Sequence, residues 1–240
     1  MSQPVIIDLW VWSLAANDAA HDRLSTFLDT AELARASRFM SETHQRQFRI
    51  AHGRLREILA AYVSVPPDQL RFDLGSHGKP ELTVSTTSAP FFNLSHTGAL
   101  AALAVSPTHP LGVDIEAERD VTDNLAERYF AREEIEALAL MPEAEARAAF
   151  FRCWTRKEAV VKAAGDGLSM PLTSFVVDVT DTDEMPLIRG PRGDDGALWR
   201  ILNFRPTDLV AGAIAIKTNG APVVLRRRGL AACPADRLTP

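Results

Sequence analysis

Three carboxylates and two lysines in this chain fall where local geometry could aim them at one point. Gly112-Val-Asp-Ile-Glu116 alternates apolar and acidic residues, which is the period of a strand. Asp114 and Glu116 then project from one face, roughly 6 to 7 Å apart at Cα, while Val113 and Ile115 turn the other way. Further on, Trp154-Thr-Arg-Lys-Glu158-Ala-Val-Val-Lys162 reads as helix, and Trp154, Glu158 and Lys162 share one stripe at i, i+4 and i+8. Two acids on a strand and a third on a helix outline a hard-metal site. A lysine one turn beyond the third acid suggests phosphate chemistry. Each piece also has a plainer reading: Asp-x-Glu on a strand is ordinarily a solvated face, and Glu158 with Lys162 describes a surface ion pair. Trp154 is read as a structural buttress.

The elements that must position these residues are legible in the apolar periodicity. Val5 to Trp12 signals an opening strand, and Glu42 to Val63 a helix, on which Phe48, Ala51, Leu55, Leu59 and Tyr62 repeat at steps of three and four. Arg46, Arg49, Gly53 and Arg56 fall mainly on its other faces, and Pro66-Pro67 ends it. Strands are expected at Arg71 to Leu74, Glu81 to Val84, Phe91 to Leu94 and Ala99 to Val105. Ser106-Pro-Thr-His-Pro110 interrupts any ladder and divides the chain into halves at 1–108 and 109–220. In the second half, helices are predicted near Asn124 to Tyr129, Arg132 to Leu140 and Glu143 to Ala164, the last closed by Gly165-Asp-Gly167. Strands follow at Ser174 to Val179, Leu198 to Phe204 and Leu209 to Ile216. The pattern is α+β, helices packed on mostly antiparallel sheets. No sequence repeat relates the halves, and a duplicated architecture is compatible with the pattern. Residues 221–240, carrying Arg226-Arg-Arg228, read as a partly ordered, solvated tail.

With 240 residues, 46% of them hydrophobic, the chain can bury a sizeable core. No apolar run reaches the roughly 18 to 20 residues of a membrane span, and Met-Ser-Gln-Pro-Val at the start lacks a basic stretch before an apolar core. A soluble, cytoplasmic protein is expected. Cys153 and Cys233 lie in separate contexts and read as reduced thiols. A net charge of −5 argues against nucleic acid as a partner but leaves room for a local basic pocket. Only four lysines occur, and Lys79, Lys157 and Lys162 lie in the motifs singled out here.

Taken in order, Gly78-Lys-Pro80, Phe92-Asn-Leu-Ser-His96, Gly112-Val-Asp-Ile-Glu116, Phe151-Arg-Cys-Trp-Thr-Arg-Lys-Glu-Ala159 with Lys162, and Gly167-Leu168 make the chain resemble the 4′-phosphopantetheinyl transferases of the long, surfactin-synthetase-activating type. The strong matches run from about residue 78 to 172, with weaker ones back to about 27. The resemblance implies a pseudo-symmetric α+β monomer that binds coenzyme A and Mg²⁺, with Mn²⁺ as an alternative, between its halves. Such an enzyme moves the phosphopantetheine arm to a serine of an apo acyl or peptidyl carrier protein and releases 3′,5′-ADP. By the same resemblance Asp114, Glu116 and Glu158 would hold the metal, and Glu158 would take the serine proton. Lys162 would contact the phosphates and assist the leaving group, with Lys157 helping to bind phosphate. Ser95 and His96, before Thr97-Gly98, would receive the 3′-phosphate; Lys79 and Pro80 would border the adenine, largely through backbone. Where many relatives carry lysine in the segment aligned with Ala31 to Arg35, this chain has Glu32. Arg35, Arg46 and Arg49 are left to supply charge, and Arg46 and Arg49 are favoured.

The remaining histidines, His21, His44, His52, His77 and His109, have no comparable setting. Two rival readings stay in view: a metal-dependent phosphohydrolase of a nucleotide or coenzyme A, and a non-catalytic coenzyme A-binding or carrier-docking module. Carrier docking is expected to use exposed arginines or an apolar loop near Arg119 to Thr122.

Overall fold

Strand β1 (Val5–Ser13) is buried along nearly its whole length because it has a core on each side. Val5, Ile7 and Leu9 face one core, and Trp10 and Trp12 face another. The coordinates are those of a computed structural model that describes residues 3–75, 77–83, 89–121 and 124–230. Val84, Thr122 and residues 231–240 with Cys233 lie outside the described residues.

Two short helices that carry too few residues to show a period come next. Helix α1 (Asp18–Ser25) is capped by Asn17, whose side chain accepts from Ala20 N, and α2 (Thr30–Ala36) opens on a capping box between Asp29 and Glu32. Helix α3 (Glu42–Val63) has the predicted bounds and buries the predicted Phe48, Ala51, Leu55 and Leu59. It stops at Ser64, in the left-handed region at φ 55°, before the two prolines. Arg56 departs from expectation: it is fully buried, its guanidinium bonded to Asp29, Glu32 and the carbonyls of Pro67 and Leu70. Periodicity assigned it to an outer face, but α2 and the 66–70 turn cover that face and supply its partners.

A hairpin of β2 (Arg71–Leu74) and β3 (Pro80–Thr83) leads to β4 (Phe91–Thr97), β5 (Leu100–Ser106) and β6 (Leu111–Ala117). Helices α4 (Leu125–Tyr129), α5 (Arg132–Ala139) and α6 (Glu143–Ala164) follow. The chain closes with β7 (Glu184–Met185), β8 (Trp199–Thr207), β9 (Val210–Lys217) and β10 (Val223–Arg228). The first half's sheet has the order β10-β1-β5-β4, and the second half's β6-β9-β8-β7. All their pairs are antiparallel except β1 with β10.

Each half thus lays one 22-residue helix on a four-stranded sheet, the α+β architecture of two pseudo-symmetric halves. One core lies between α3 and the first sheet, another between α6 and the second, and a third joins the sheets through residues such as Ile7, Leu9, Val113, Ile115 and Ile214. None of the described helices is long and apolar enough to cross a membrane.

Two expectations are corrected. Arg226-Arg-Arg228 is not an unstructured tail: residues 223–228 run parallel to β1, where Arg226 and Arg227 stay exposed and Arg228 Nε donates to Asp8 Oδ1 at 2.8 Å. The ladder that β1 offers on its open edge outweighs the local signal of charge and proline. Ser174 to Val179 makes a single bridge, Val176 with Arg189, in place of a strand. Side chains from the helices satisfy its backbone instead: Lys157 donates to Phe175 O, Arg152 to Val179 O and Arg156 to Asp178 O, while Glu134 accepts from Val177 N.

The joint between the halves is polar on the inner face of β4. Asn93, Ser95 and Thr97, at every second position, accept from the backbone N–H groups of Val113, Ile115 and Ala117 at 2.8, 3.4 and 3.1 Å. Edge strand β6 has its unpaired donors satisfied by side chains in place of another strand.

Candidate active site

The site starts from a missing side chain. A Cβ on Gly112 would stand 2.1 Å from Ala159 O and 2.5 Å from Ala163 N, so the backbone of α6 rests directly on β6. The small Ala211, Ala213 and Ala215 of β9 continue this floor under α6. Trp154, Glu158 and Lys162 are the half-exposed stripe of an otherwise buried helical stretch, on the side where β6 presents Asp114 and Glu116.

Lys162 Nζ lies 2.6 Å from Asp114 Oδ1, 3.2 Å from Ser95 Oγ and 3.3 Å from Val113 O. Ser95 Oγ donates to the same Asp114 oxygen at 2.9 Å. Asp114 is 4% exposed, and its Oδ2 is buried with no hydrogen-bond partner. Burial pushes the Asp114 carboxyl above its ordinary value, and Lys162 pulls it back. Glu158 is also pushed up, first by burial, then by the charges of Asp114 and Glu116, against the opposing effect of Lys162. The three carboxylates therefore share one electrostatic neighbourhood. They do not form a closed cage: among the described residues no three His, Cys, Asp or Glu side chains are grouped to hold a metal ion. Asp114 is held by Lys162, and Glu116 by Arg119 at 3.0 Å.

A cleft of about 260 Å³ opens beside this group, lined by Gly78, Lys79, Pro80, Asn93, Glu158 and Lys162 among others. Lys79 crosses the joint between the halves, donating to Leu111 O at 2.8 Å and Lys162 O at 2.7 Å. Its ammonium is engaged with the second half, and burial brings its pKa down to about 8.

The other expected residues divide. Ser95 and His96 lie on opposite faces of β4, so they do not form one pocket: Ser95 turns in to Asp114, and His96 lines a pocket of about 220 Å³ with Leu14, Phe48 and His52. Thr97 Oγ1 is used in the seam with Ala117. Arg46 bonds Ala16 O and Asp18, both at 2.8 Å, and Arg49 Nε is buried without a hydrogen-bond partner. Lys157 is the clear correction. It is fully buried, with Nζ 2.6 and 2.7 Å from the two carboxyl oxygens of Glu134 and 3.0 Å from Phe175 O, and cannot meet a phosphate in the cleft. One residue along a helix is a turn of about 100°, so when Glu158 faces the cleft Lys157 faces the core. Trp154 packs among Tyr129, Phe130 and Phe150, as a buttress should.

Sequence reasoning missed His52 and Glu134. The i, i+4 relation of Phe48 to His52 was visible, but nothing local tied His52 to His96; Glu134 reads as one more acid in a helix's first turn until its buried partner is seen.

An acidic strand thus faces a Glu/Lys helix beside a cleft at the joint of two α+β halves. Comparison with known proteins makes the class definite. Residues 110–212 match the 4′-phosphopantetheinyl transferase superfamily, and residues 12–108 the 4′-phosphopantetheinyl transferase N-terminal family. The chain is 37% identical over 213 residues to the 4′-phosphopantetheinyl transferase HetI of Nostoc sp. (strain PCC 7120), covering 88% of this chain and 87% of that protein. It is 31% identical to the 4′-phosphopantetheinyl transferase psf-1 of Bacillus pumilus, over 69% of this chain and 70% of the relative. With Sfp of Bacillus subtilis (strain 168), another 4′-phosphopantetheinyl transferase, the identity is 26% over 65% and 69% of the two chains. This chain belongs to the 4′-phosphopantetheinyl transferase family, in its Sfp-like type, and is a transferase of that class.

Proposed function

We propose that the enzyme transfers the 4′-phosphopantetheine arm of coenzyme A to a serine of an apo acyl or peptidyl carrier protein, releasing 3′,5′-ADP in a Mg²⁺-dependent reaction. The observation that carries this reading is the seating of α6 on Gly112, which stations Glu158 and Lys162 over Asp114 beside the cleft. The family relationship supports the same reaction.

The residues present fit a divalent cation. The donor set of Asp114, Glu116 and Glu158 is all carboxylate oxygen, as Mg²⁺ prefers, and Asp114 Oδ2 is a buried acceptor with nothing bonded to it. These three would hold the ion, with Mn²⁺ able to substitute; when bound it supplies charge neutralisation on the pyrophosphate oxygens.

The chain's own groups supply the rest. The raised pKa of Glu158 makes its carboxylate a stronger base than an ordinary glutamate, suited to accept the serine proton directly or through water as the serine oxygen attacks the β-phosphorus. Lys162, held by Asp114 and Val113 O, offers an ammonium to the phosphates and to the oxygen of departing 3′,5′-ADP. Lys79 and Pro80 border the cleft on the first-half side, where the adenine would lie, with Lys79 acting through the joint it fastens. Ser95 supports Asp114. Arg46 and Arg49 stay as a secondary source of positive charge on α3. The halves 1–108 and 109–220 divide the work between coenzyme A contacts and the acidic centre, and β10 returns residues 223–228 to the first half's sheet. A monomer acting in the cytoplasm completes the reading.

The test is to incubate the protein with coenzyme A, Mg²⁺ and a panel of apo carrier proteins and look by mass spectrometry for the added arm. Transfer to a carrier serine is expected. A folded protein that modifies no carrier, or that cleaves coenzyme A without one, defeats the proposal.

A further inference from the structure

Two arginines lie one turn apart on the buried side of α6, and only one of them has all its donors matched. Arg156 uses all three guanidinium nitrogens, on Asn203 Oδ1 and on the carbonyls of Asp178 and Thr180. Arg152 is 7% exposed yet makes a single hydrogen bond, from Nε to Val179 O at 3.2 Å. Its two terminal nitrogens meet no acceptor among the described residues. A guanidinium removed from water keeps its charge, so unmatched donors there are costly unless an acceptor arrives from outside the chain.

Arg152 lines a cavity of about 330 Å³ beside β8 and β9, which shares no lining residue with the cleft at Glu158 and Lys162. With Nε turned to Val179 O, the terminal pair of donors is what this side chain presents to the cavity. Arg205 of β8 and Arg227 of β10 stand at the same cavity, so it is bounded by both halves. Arg227 is exposed and makes no ion pair among the described residues, and Arg205 is held loosely, 3.8 Å from Glu118 and 3.6 Å from Asp181. Two acids, Asp181 and Asp183, also line the cavity, but both are exposed and neither pairs with Arg152. Water screens those acids far more than it screens the buried guanidinium, which leaves the deep side of the cavity electropositive.

We propose that this cavity binds a small oxyanion, a phosphate or a carboxylate group, with two of its oxygens on the terminal nitrogens of Arg152. The planar fork of an arginine matches paired oxygens on one centre, which a metal cation or a neutral ligand does not offer. Arg227 and Arg205 supply the outer charge, and a bound anion links α6 of the second half to β10 of the first half's sheet.

The test is a proton–nitrogen NMR titration of the full chain, read at the Arg152 Nε–H, whose signal is identified by its loss in R152Q or, if that variant does not fold, in R152K. Inorganic phosphate and acetate are added in separate titrations at constant ionic strength, balanced with chloride. A saturable shift of the Arg152 signal is expected with at least one of the two, and the ion that produces it names the group. R227Q, a change at an exposed position, should raise the half-saturating concentration about threefold. No shift with either ion, a shift that chloride reproduces, or an R227Q protein that titrates like wild type overturns the site. Shifts confined to residues of the Glu158 cleft overturn it as well and leave the transferase reading standing.

Discussion

The Lys162 ammonium and the Asp114 carboxylate meet at 2.6 Å across the contact of α6 with β6, and the carbonyl of the same Lys162 accepts from Lys79 at 2.7 Å. One residue near the end of a helix thereby ties the acidic strand, the helix and the first half's hairpin together. The electrostatics of the centre depend on these elements staying in register.

Glu158 is pushed toward higher pKa by burial and by two neighbouring acids, and on the proposed reaction it takes the serine proton. E158Q should lower transfer by about 10² to 10⁴-fold, the usual worth of a positioned base, and more if metal binding is lost with it. Coenzyme A binding should remain detectable. Single-turnover transfer by mass spectrometry and calorimetric binding separate the two effects; wild-type turnover in the variant would end the assignment.

Gly112 has no room for a Cβ, with Ala159 O at 2.1 Å and the neighbouring helix backbone behind it. G112A should lift α6 from β6, costing about 1 to 3 kcal/mol of stability as overpacked positions do. Activity should fall further than stability explains, because Glu158 and Lys162 move with the helix. Urea unfolding beside transfer assays checks this, and a variant with native stability and rate would contradict the packing argument.

Lys157 and Glu134 form a buried pair in which Glu134 also accepts from Ala131 N and Val177 N at 2.8 Å. K157M, which strands the acid, should cost roughly 3 to 5 kcal/mol. Coenzyme A affinity per folded molecule should be unchanged, which is the opposite of what a phosphate-binding lysine predicts. Unfolding curves and calorimetry on K157M decide between the two.

Burial holds Lys79 at about 8, whereas an unfolded lysine titrates near 10.4. Between those values the unfolded chain binds the proton and the folded chain does not, so this group's contribution to stability rises with pH through the window from about 8 to 10.4. Below pH 8 both states are protonated and its contribution is constant, at its least favourable. The stability of wild type relative to K79M should therefore climb across that interval. Parallel urea titrations would show it, and a flat difference would mean that the carbonyls of Leu111 and Lys162 keep the ammonium at its ordinary value.

Much of the site could be read along the chain because its parts are local. Alternation put Asp114 and Glu116 on one face of β6, and the i, i+4 relation put Glu158 and Lys162 on one stripe of α6; both follow from fixed backbone periods. The long helices α3 and α6 were bounded for the same reason. Tertiary structure alone decided which faces found partners. It buried Arg56 and Lys157 against acids distant in sequence, drew Arg226 to Arg228 into a parallel strand, and turned Ser95 and His96 to opposite sides of β4. A charged residue declares its type in the sequence but not its counter-ion. Pairing depends on which segments the apolar cores bring within a few ångströms, and that is a property of the whole fold.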